Sequence, residues 1–242
     1  MRLDKYISLC TGLSRKEVKQ IIKNGVLVNE EKINKADYKV DENKDEVNIN
    51  NVRLRYREYV YFMLNKPKNY ISATDDKKHK TVLDLLTKSD KILNPYPVGR
   101  LDIDTEGLLL ITNDGELTHN LLSPKKKVAK TYYLEVSGEL LEEYVEKISA
   151  GIVLEDGYKC KSAKLEILTS NLKKSSAYIT IIEGKFHQVK RMMQVLGCKV
   201  TYLKRLSMGN LKLDEKLKLG EYRELTQEEI KNIKVVGGEN DN

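Results

Sequence analysis

The stretch Gly99 to Gly115, GRLDIDTEGLLLITNDG, sets three carboxylates, Asp102, Asp104 and Glu106, within five residues. They lie between two glycines, just ahead of the apolar run Leu108 to Ile111. Glycine allows tight backbone paths, and loops feeding rigid strands commonly carry reacting groups. The pattern therefore predicts a functional loop that carries a carboxylate, and no more than that. The alternation of the three acids also fits oxygen ligands, which leaves a metal-dependent nuclease as an alternative, although the full Ca²⁺-loop pattern is absent. A carboxylate in a pocket that excludes water tends to take up a proton, and a nearby cation keeps it ionised.

Cations occur in three clusters. Residues 2–23 hold six basic side chains against two acids; Lys125, Lys126, Lys127 and Lys130 form a second group. In 183–206, Lys185, Lys190, Arg191, Lys199, Lys204 and Arg205 face one acid, Glu183. Such clustering points to nucleic acid more strongly than the net charge of +7, from 43 basic and 36 acidic residues, does alone.

These groups need elements to hold them. Leu3, Tyr6, Ile7 and Cys10 repeat at helical spacing, and Gly12 can end that helix. Ser14 with Glu17 forms a capping box for a second helix, with Val18, Ile21 and Ile22 inward and Asn24-Gly25 as its stop. Arg15, Lys19 and Lys23, spaced by four, share its outer face with Lys16 beside them. Val26 to Val28 and Val47 to Ile49 read as short strands, and the polar stretch 50–55 as a linker.

From Tyr59 the pattern is mixed. Strands are predicted over 59–64, 108–112, 132–136, 177–182 and 200–203, and helices over 81–86, 141–148 and 187–196. A last helix is capped by Thr226 with Glu229. Asn113-Asp114-Gly115 reads as a turn. Strands do not alternate regularly with helices, so the expected class is α+β, on a mixed, mainly antiparallel sheet flanked by helices. The division read from the chain is a module at 1–50, a linker at 51–58, a domain at 59–234 and a disordered tail at 235–242.

No apolar run approaches the ~20 residues of a membrane span, and residues 1–20 carry Arg2, Asp4, Lys5, Arg15 and Lys16, unlike a secretory leader. The cysteines, Cys10, Cys160 and Cys198, are three, widely spaced and outside any CxxC pattern, which fits a reducing cytoplasm and argues against a zinc site.

The segment RLDKYISLCTGLSRKEVKQIIKNGVLVN resembles the α-L RNA-binding module. GRLDIDTEGLLLITNDG closely resembles the signature of the pseudouridine synthases that modify ribosomal RNA. It is accompanied in order by LNKPKNY at 64–70, AKTYYLEV at 129–136, EGKFHQVKRMM at 183–193 and LKLGEYRELTQEE at 217–229. GRLD, DTEG and HQVKRM look most like the small-subunit (RsuA) branch; large-subunit branches tend to carry Asn-Arg where this chain has Phe186-His187. Asn69 departs from the glycine usual after the Lys-Pro pair.

The resemblance implies isomerisation of one uridine of small-subunit (16S) rRNA, of the 516 type, by an aspartate acting on a flipped nucleotide, with no cofactor and no metal. Asp102 takes the position of the essential aspartate and Lys190 that of its basic partner, with Arg191 as the substitute if the helix register differs by one. Tyr132 corresponds to the active-site tyrosine, able to stack on an extruded base and relay a proton; Tyr133 points the other way, toward a core. RNA contacts are expected from Arg2, Arg15, Lys16, Lys19, Lys23, Arg100, Lys130, His187, Gln188 and Arg191, whereas His79 and His119 read as surface residues. The implied partner is ribosomal RNA, naked or in an assembling small subunit, met by a monomeric cytoplasmic enzyme. Two alternatives remain beside the nuclease: a synthase for large-subunit (23S) rRNA, and a non-catalytic RNA-binding assembly factor.

Overall fold

The structure, a computed structural model, describes residues 1–238. Contacts divide it into two compact units, one of residues 1–60 and 86–95, the other of 61–85 and 96 onward.

In the first unit, α1 (Leu3–Thr11) buries Leu3, Tyr6 and Ile7 and stops at Gly12, whose φ of 74° suits a residue without Cβ. α2 (Arg15–Lys23) opens on the predicted capping box: Glu17 N–H donates to Ser14 Oγ at 3.3 Å and Ser14 N–H to Glu17 Oε2 at 2.8 Å. β1 (Val26–Val28), β2 (Glu31–Ile33), β3 (Val47–Ile49) and β4 (Val52–Leu54) form an antiparallel sheet in the order β2-β1-β3-β4.

The segment read as a linker is therefore partly strand. Asn50 and Asn51 take φ of 49° and 62°, two consecutive positive values that make a hairpin turn, and β4 folds back onto β3. Polarity suggested a linker; the tolerance of asparagine for left-handed backbone makes it a hairpin instead. Residues 86–95, read as part of the second domain, group with the first unit.

The second unit begins with β5 (Tyr61–Lys66), a 3-10 turn at Val82–Leu85, β6 (Tyr96–Pro97) and β7 (Glu106–Thr112). There follow α3 (Gly115–Leu122), β8 (Lys130–Ser137), α4 (Glu143–Ala150), β9 (Lys164–Thr169) and β10 (Lys174–Ile181). The chain continues with α5 (Gln188–Val195), β11 (Lys199–Met208), β12 (Leu211–Lys212), β13 (Tyr222–Glu224) and α6 (Gln227–Gly238). The sheet runs β13-β5-β7-β11-β8-β10-β9, with β6 on β7 and β12 on β11. Among the named strands of the described residues only β7 and β11 pair in parallel, so the α+β, mainly antiparallel sheet is as the pattern predicts.

Three local expectations change. The Asn113-Asp114-Gly115 turn opens helix α3, because Asp114 Oδ1 accepts Leu117 N–H at 2.9 Å and Leu117 and Leu121 bury against the sheet. The helix at 81–86 is a single 3-10 turn capped by Asp84, whose Oδ2 accepts Thr81 N–H at 2.8 Å. The tail is helical through Gly238, which corrects its first four residues; its remainder, 239–242, lies outside the described residues. Among the described residues no helix is long and apolar enough to cross a membrane.

The parallel seam positions the site. Gly107, at φ 100°, lies so close to β11 that a Cβ would stand 2.2 Å from the Arg205 carbonyl oxygen. This approach lets the Arg205 side chain donate from Nε to Leu108 O at 2.8 Å and sets the loop before β7 above the sheet.

Candidate active site

The 101–105 loop is pinned from below. Lys66, at the end of β5 and fully buried, donates from Nζ to the carbonyls of Thr105 at 2.8 Å, Asp102 at 3.0 Å and Pro67 at 3.1 Å. Burial presses its amine down to about 8, against the opposing pull of Asp104, Asp102 and Glu106. Ser72 Oγ meets both Leu101 N–H and Leu101 O at 3.0 Å. Asn69 N–H donates to Ile103 O at 2.8 Å with Asn69 at φ 68°. Asparagine suits this position because it needs left-handed backbone, which asparagine accepts.

Held this way, Asp102 is about a quarter exposed at the edge of a small cavity of about 70 Å³, shared with Arg100, Tyr132, His187 and Lys190. Lys190 Nζ lies 3.1 Å from Asp102 Oδ2 and 2.6 Å from Asp104 Oδ1. Burial lowers the Lys190 amine, but the two carboxylates outweigh it and leave the amine above its ordinary value. Asp104 is pushed up by burial, yet the hydrogen bond and charge of Lys190 hold it below the usual carboxylate range. Arg191, the alternative basic partner, instead reaches Asp156 Oδ2 at 2.6 Å.

Tyr132 is buried on β8 opposite Arg205 and Ile179, on the cavity side of the sheet. Tyr133 points to the other face as predicted, but it is half-buried rather than core. It meets Tyr178 and Tyr202 edge-on, and its hydroxyl donates to Glu135 Oε1 at 3.1 Å. Glu106 turns away from Asp102 and accepts the Tyr202 hydroxyl at 2.6 Å. Burial and this bond push the Tyr202 phenol up. The three acids of the motif are thus committed elsewhere, Asp102 and Asp104 to Lys190 and Glu106 to Tyr202.

The predicted RNA contacts divide. Arg15, Lys16, Lys19 and Lys23 are exposed on α2, and Arg100 is exposed at the cavity rim. Lys130 is half-buried and donates to Val128 O at 2.8 Å. His187, at φ 49° and stacked on exposed Phe186 at 3.8 Å, has Nε2 3.6 Å from Asp102 Oδ1, beyond hydrogen-bond length. Arg2 is already engaged by buried Asp4, at 3.0 and 3.1 Å. Gln188 is no surface contact: it is buried, donating to Glu183 Oε1 at 2.6 Å and accepting Lys185 N–H at 2.9 Å, so it shapes the 183–188 turn.

Sequence reading missed Lys66 and took Arg205 only as a member of a basic cluster. Lys66 follows the run Tyr61–Leu64, and a lysine at the end of such a strand was the available signal; Arg205 lies in the mixed strand β11, where no such signal marks its burial.

Residues 60–195 match the family model described as RNA pseudouridylate synthase. The chain belongs to that family. It is a pseudouridine synthase, an isomerase, and residues 1–47 match the S4 domain, the stretch read above as the α-L module. A Bacillus subtilis protein named uncharacterized RNA pseudouridine synthase YtzG is 47% identical, covering 95% of this chain and 97% of that one. Ribosomal small subunit pseudouridine synthase A of Vibrio parahaemolyticus is 40% identical over 96% and 99% of the two chains. Ribosomal large subunit pseudouridine synthase B of Bacillus subtilis is 39% identical over 97% and 96%. A crystal structure of a pseudouridylate synthase superposes on this synthase with a TM-score of 0.68 at 37% identity, over 96% of this chain and 99% of the other.

Proposed function

We propose that this synthase converts one uridine of small-subunit (16S) rRNA, of the 516 type, to pseudouridine, with Asp102 as the reacting carboxylate. The observation that carries the reading is the Asp102–Lys190 pair at 3.1 Å beside buried Tyr132. The reaction breaks the bond from uracil N1 to ribose C1′ and forms one from C5 to C1′; N1 gains a proton and C5 loses one, so nothing is oxidised and no group departs. Asp102 supplies the negative charge that meets the sugar or base. Lys190 keeps that charge close to a cation in a site partly shielded from water. Tyr132 offers a ring for the extruded base and a hydroxyl for the C5 proton.

Lifting the base from its stack costs a few kcal/mol. The exposed Arg15, Lys16, Lys19 and Lys23 of the S4 domain, and Arg100 at the cavity, attract phosphates and offset part of it. Phe186-His187 beside the cavity favours the small-subunit branch. The nearly equal identity to a large-subunit synthase supports 23S rRNA as the second reading.

Pseudouridine mapping of both rRNAs in a deletion strain decides between them. Loss of one 16S site is the expected result; loss confined to 23S would transfer the function there, and unchanged maps in both would reject it.

A further inference from the structure

Beside the Asp102 cavity, and sharing Arg100 and Tyr132 with it, lies a second cavity of about 390 Å³. Its floor comes from β8 and β11. Lys130 and Tyr132, two apart, share one face of β8, and Arg205 stands opposite Tyr132 in the register. Arg205 is 2% exposed; its Nε is bonded to Leu108 O, while Nη2 has no partner. Lys130 Nζ donates only to the carbonyl of Val128. Among the described residues neither cation has a carboxylate partner. Glu183, the acid at this cavity, is occupied by the Tyr158 hydroxyl at 2.8 Å, Lys161 N–H at 3.0 Å and Gln188 Nε2 at 2.6 Å.

A buried guanidinium and a half-buried ammonium lining one cavity without an anion are unfavourable, and such groups are normally paired. Burial, then the charge of Arg205, presses the Lys130 amine down to about 8, the mark of an uncompensated positive site. A guanidinium fork suits phosphate oxygens bidentately, and an ammonium adds a point charge.

We propose that this cavity is a phosphate seat, in which Lys130 and Arg205 hold a single phosphodiester of the RNA next to the reacting uridine. The inference rests on the rRNA-modifying function proposed above. It adds a binding site to that function, one that fixes the strand while the neighbouring nucleotide turns into the Asp102 cavity. The same chemistry would accept free inorganic phosphate, so the test separates the two sources.

The full-length wild-type enzyme is given 16S and 23S transcripts, and the transcript in which pseudouridine forms supplies a short fragment as probe. Lys130→Met should weaken fragment binding about tenfold and lower the salt slope of log K by about one, while Lys130→Arg restores both. A scan of neutral methylphosphonate linkages through the fragment should find one, adjacent to the uridine, that weakens the wild type comparably and adds nothing to Lys130→Met. That scan on unaltered protein stands even if Lys130→Met folds poorly. Wild-type affinity and slope in Lys130→Met, or additive effects of variant and linkage, overturn the seat alone. Saturable ³¹P line broadening of inorganic phosphate on RNA-free enzyme, below millimolar concentration and lost in Lys130→Met, would assign the seat to a free anion and overturn the RNA assignment. A wild type that modifies neither transcript overturns the underlying function and the seat with it.

Discussion

The Lys190 ammonium is divided between Asp104, at 2.6 Å, and Asp102, at 3.1 Å, and the shorter contact goes to the more exposed of the two acids. Asp104 thus competes for the cation that the proposed chemistry assigns to Asp102. Asp102→Asn should abolish turnover while fragment binding stays within about threefold, since phosphate contacts supply most affinity. Asp104→Asn should keep turnover within about tenfold, in the range of one lost charge-assisted contact. Single-turnover assays with binding titrations check both; an inactive Asp104→Asn beside an active Asp102→Asn would exchange their roles.

The exposed face of α2 calls for a different readout. Replacing Lys16, Lys19 and Lys23 with alanine removes three charges from a helix that packs through Val18 and Ile22. KM should rise and the salt slope should fall by roughly two to three, as three phosphate contacts imply, with kcat unchanged. A drop in kcat at saturating RNA would show that α2 acts on the chemistry instead.

Lys66 predicts opposite pH trends for activity and stability. Its amine, at about 8, holds the Asp102 loop through the carbonyls of Asp102 and Thr105 and also donates to that of Pro67. An ammonium has three donors and a neutral amine two, so turnover should fall as pH rises through about 8. In the unfolded chain the same amine keeps its proton to its ordinary 10.5, so between these values the unfolded state binds more protons and this group's contribution to stability rises with pH. A kcat profile from pH 6 to 9.5, with thermal melting at each pH, should show an alkaline limb near 8 that Lys66→Met abolishes. Persistence of the limb in Lys66→Met would discard the assignment.

Gly107→Ala tests the seam. Its Cβ would meet the backbone of Arg205 at 2.2 and 2.8 Å, at a φ of 100° that disfavours any side chain. Destabilisation of about 3 kcal/mol or more is expected from the strain and the forced opening of β7 from β11. Gly184→Ala, whose Cβ meets nothing within 4 Å, should stay within ~0.5 kcal/mol. Urea denaturation of the two variants gives the comparison.

Much of this was legible in the chain. Capping at Ser14–Glu17 and Thr226–Glu229 depends on neighbours three residues apart, and both boxes form. Lys190 stands beside Asp102 because α5 keeps a plain helical register. What failed to show was of two kinds. Asn50-Asn51 looks like linker material until the backbone is known to be left-handed at both residues. The commitments of Gln188 to Glu183 and of Arg2 to Asp4, and the burial of Lys66 and Arg205, depend on partners or packing that composition does not reveal.

The parallel contact of β7 with β11 ties residues 106–107 to residues 204–205. During synthesis, which adds about 5–20 residues per second, the unit that holds the S4 match is complete by residue 95, whereas the seam under Asp102 waits for another ~110 residues. A growing chain therefore carries the finished S4-containing unit for roughly five to twenty seconds before it has a reaction centre. At the polysome the nascent synthase is a reader of RNA before it is an editor of it.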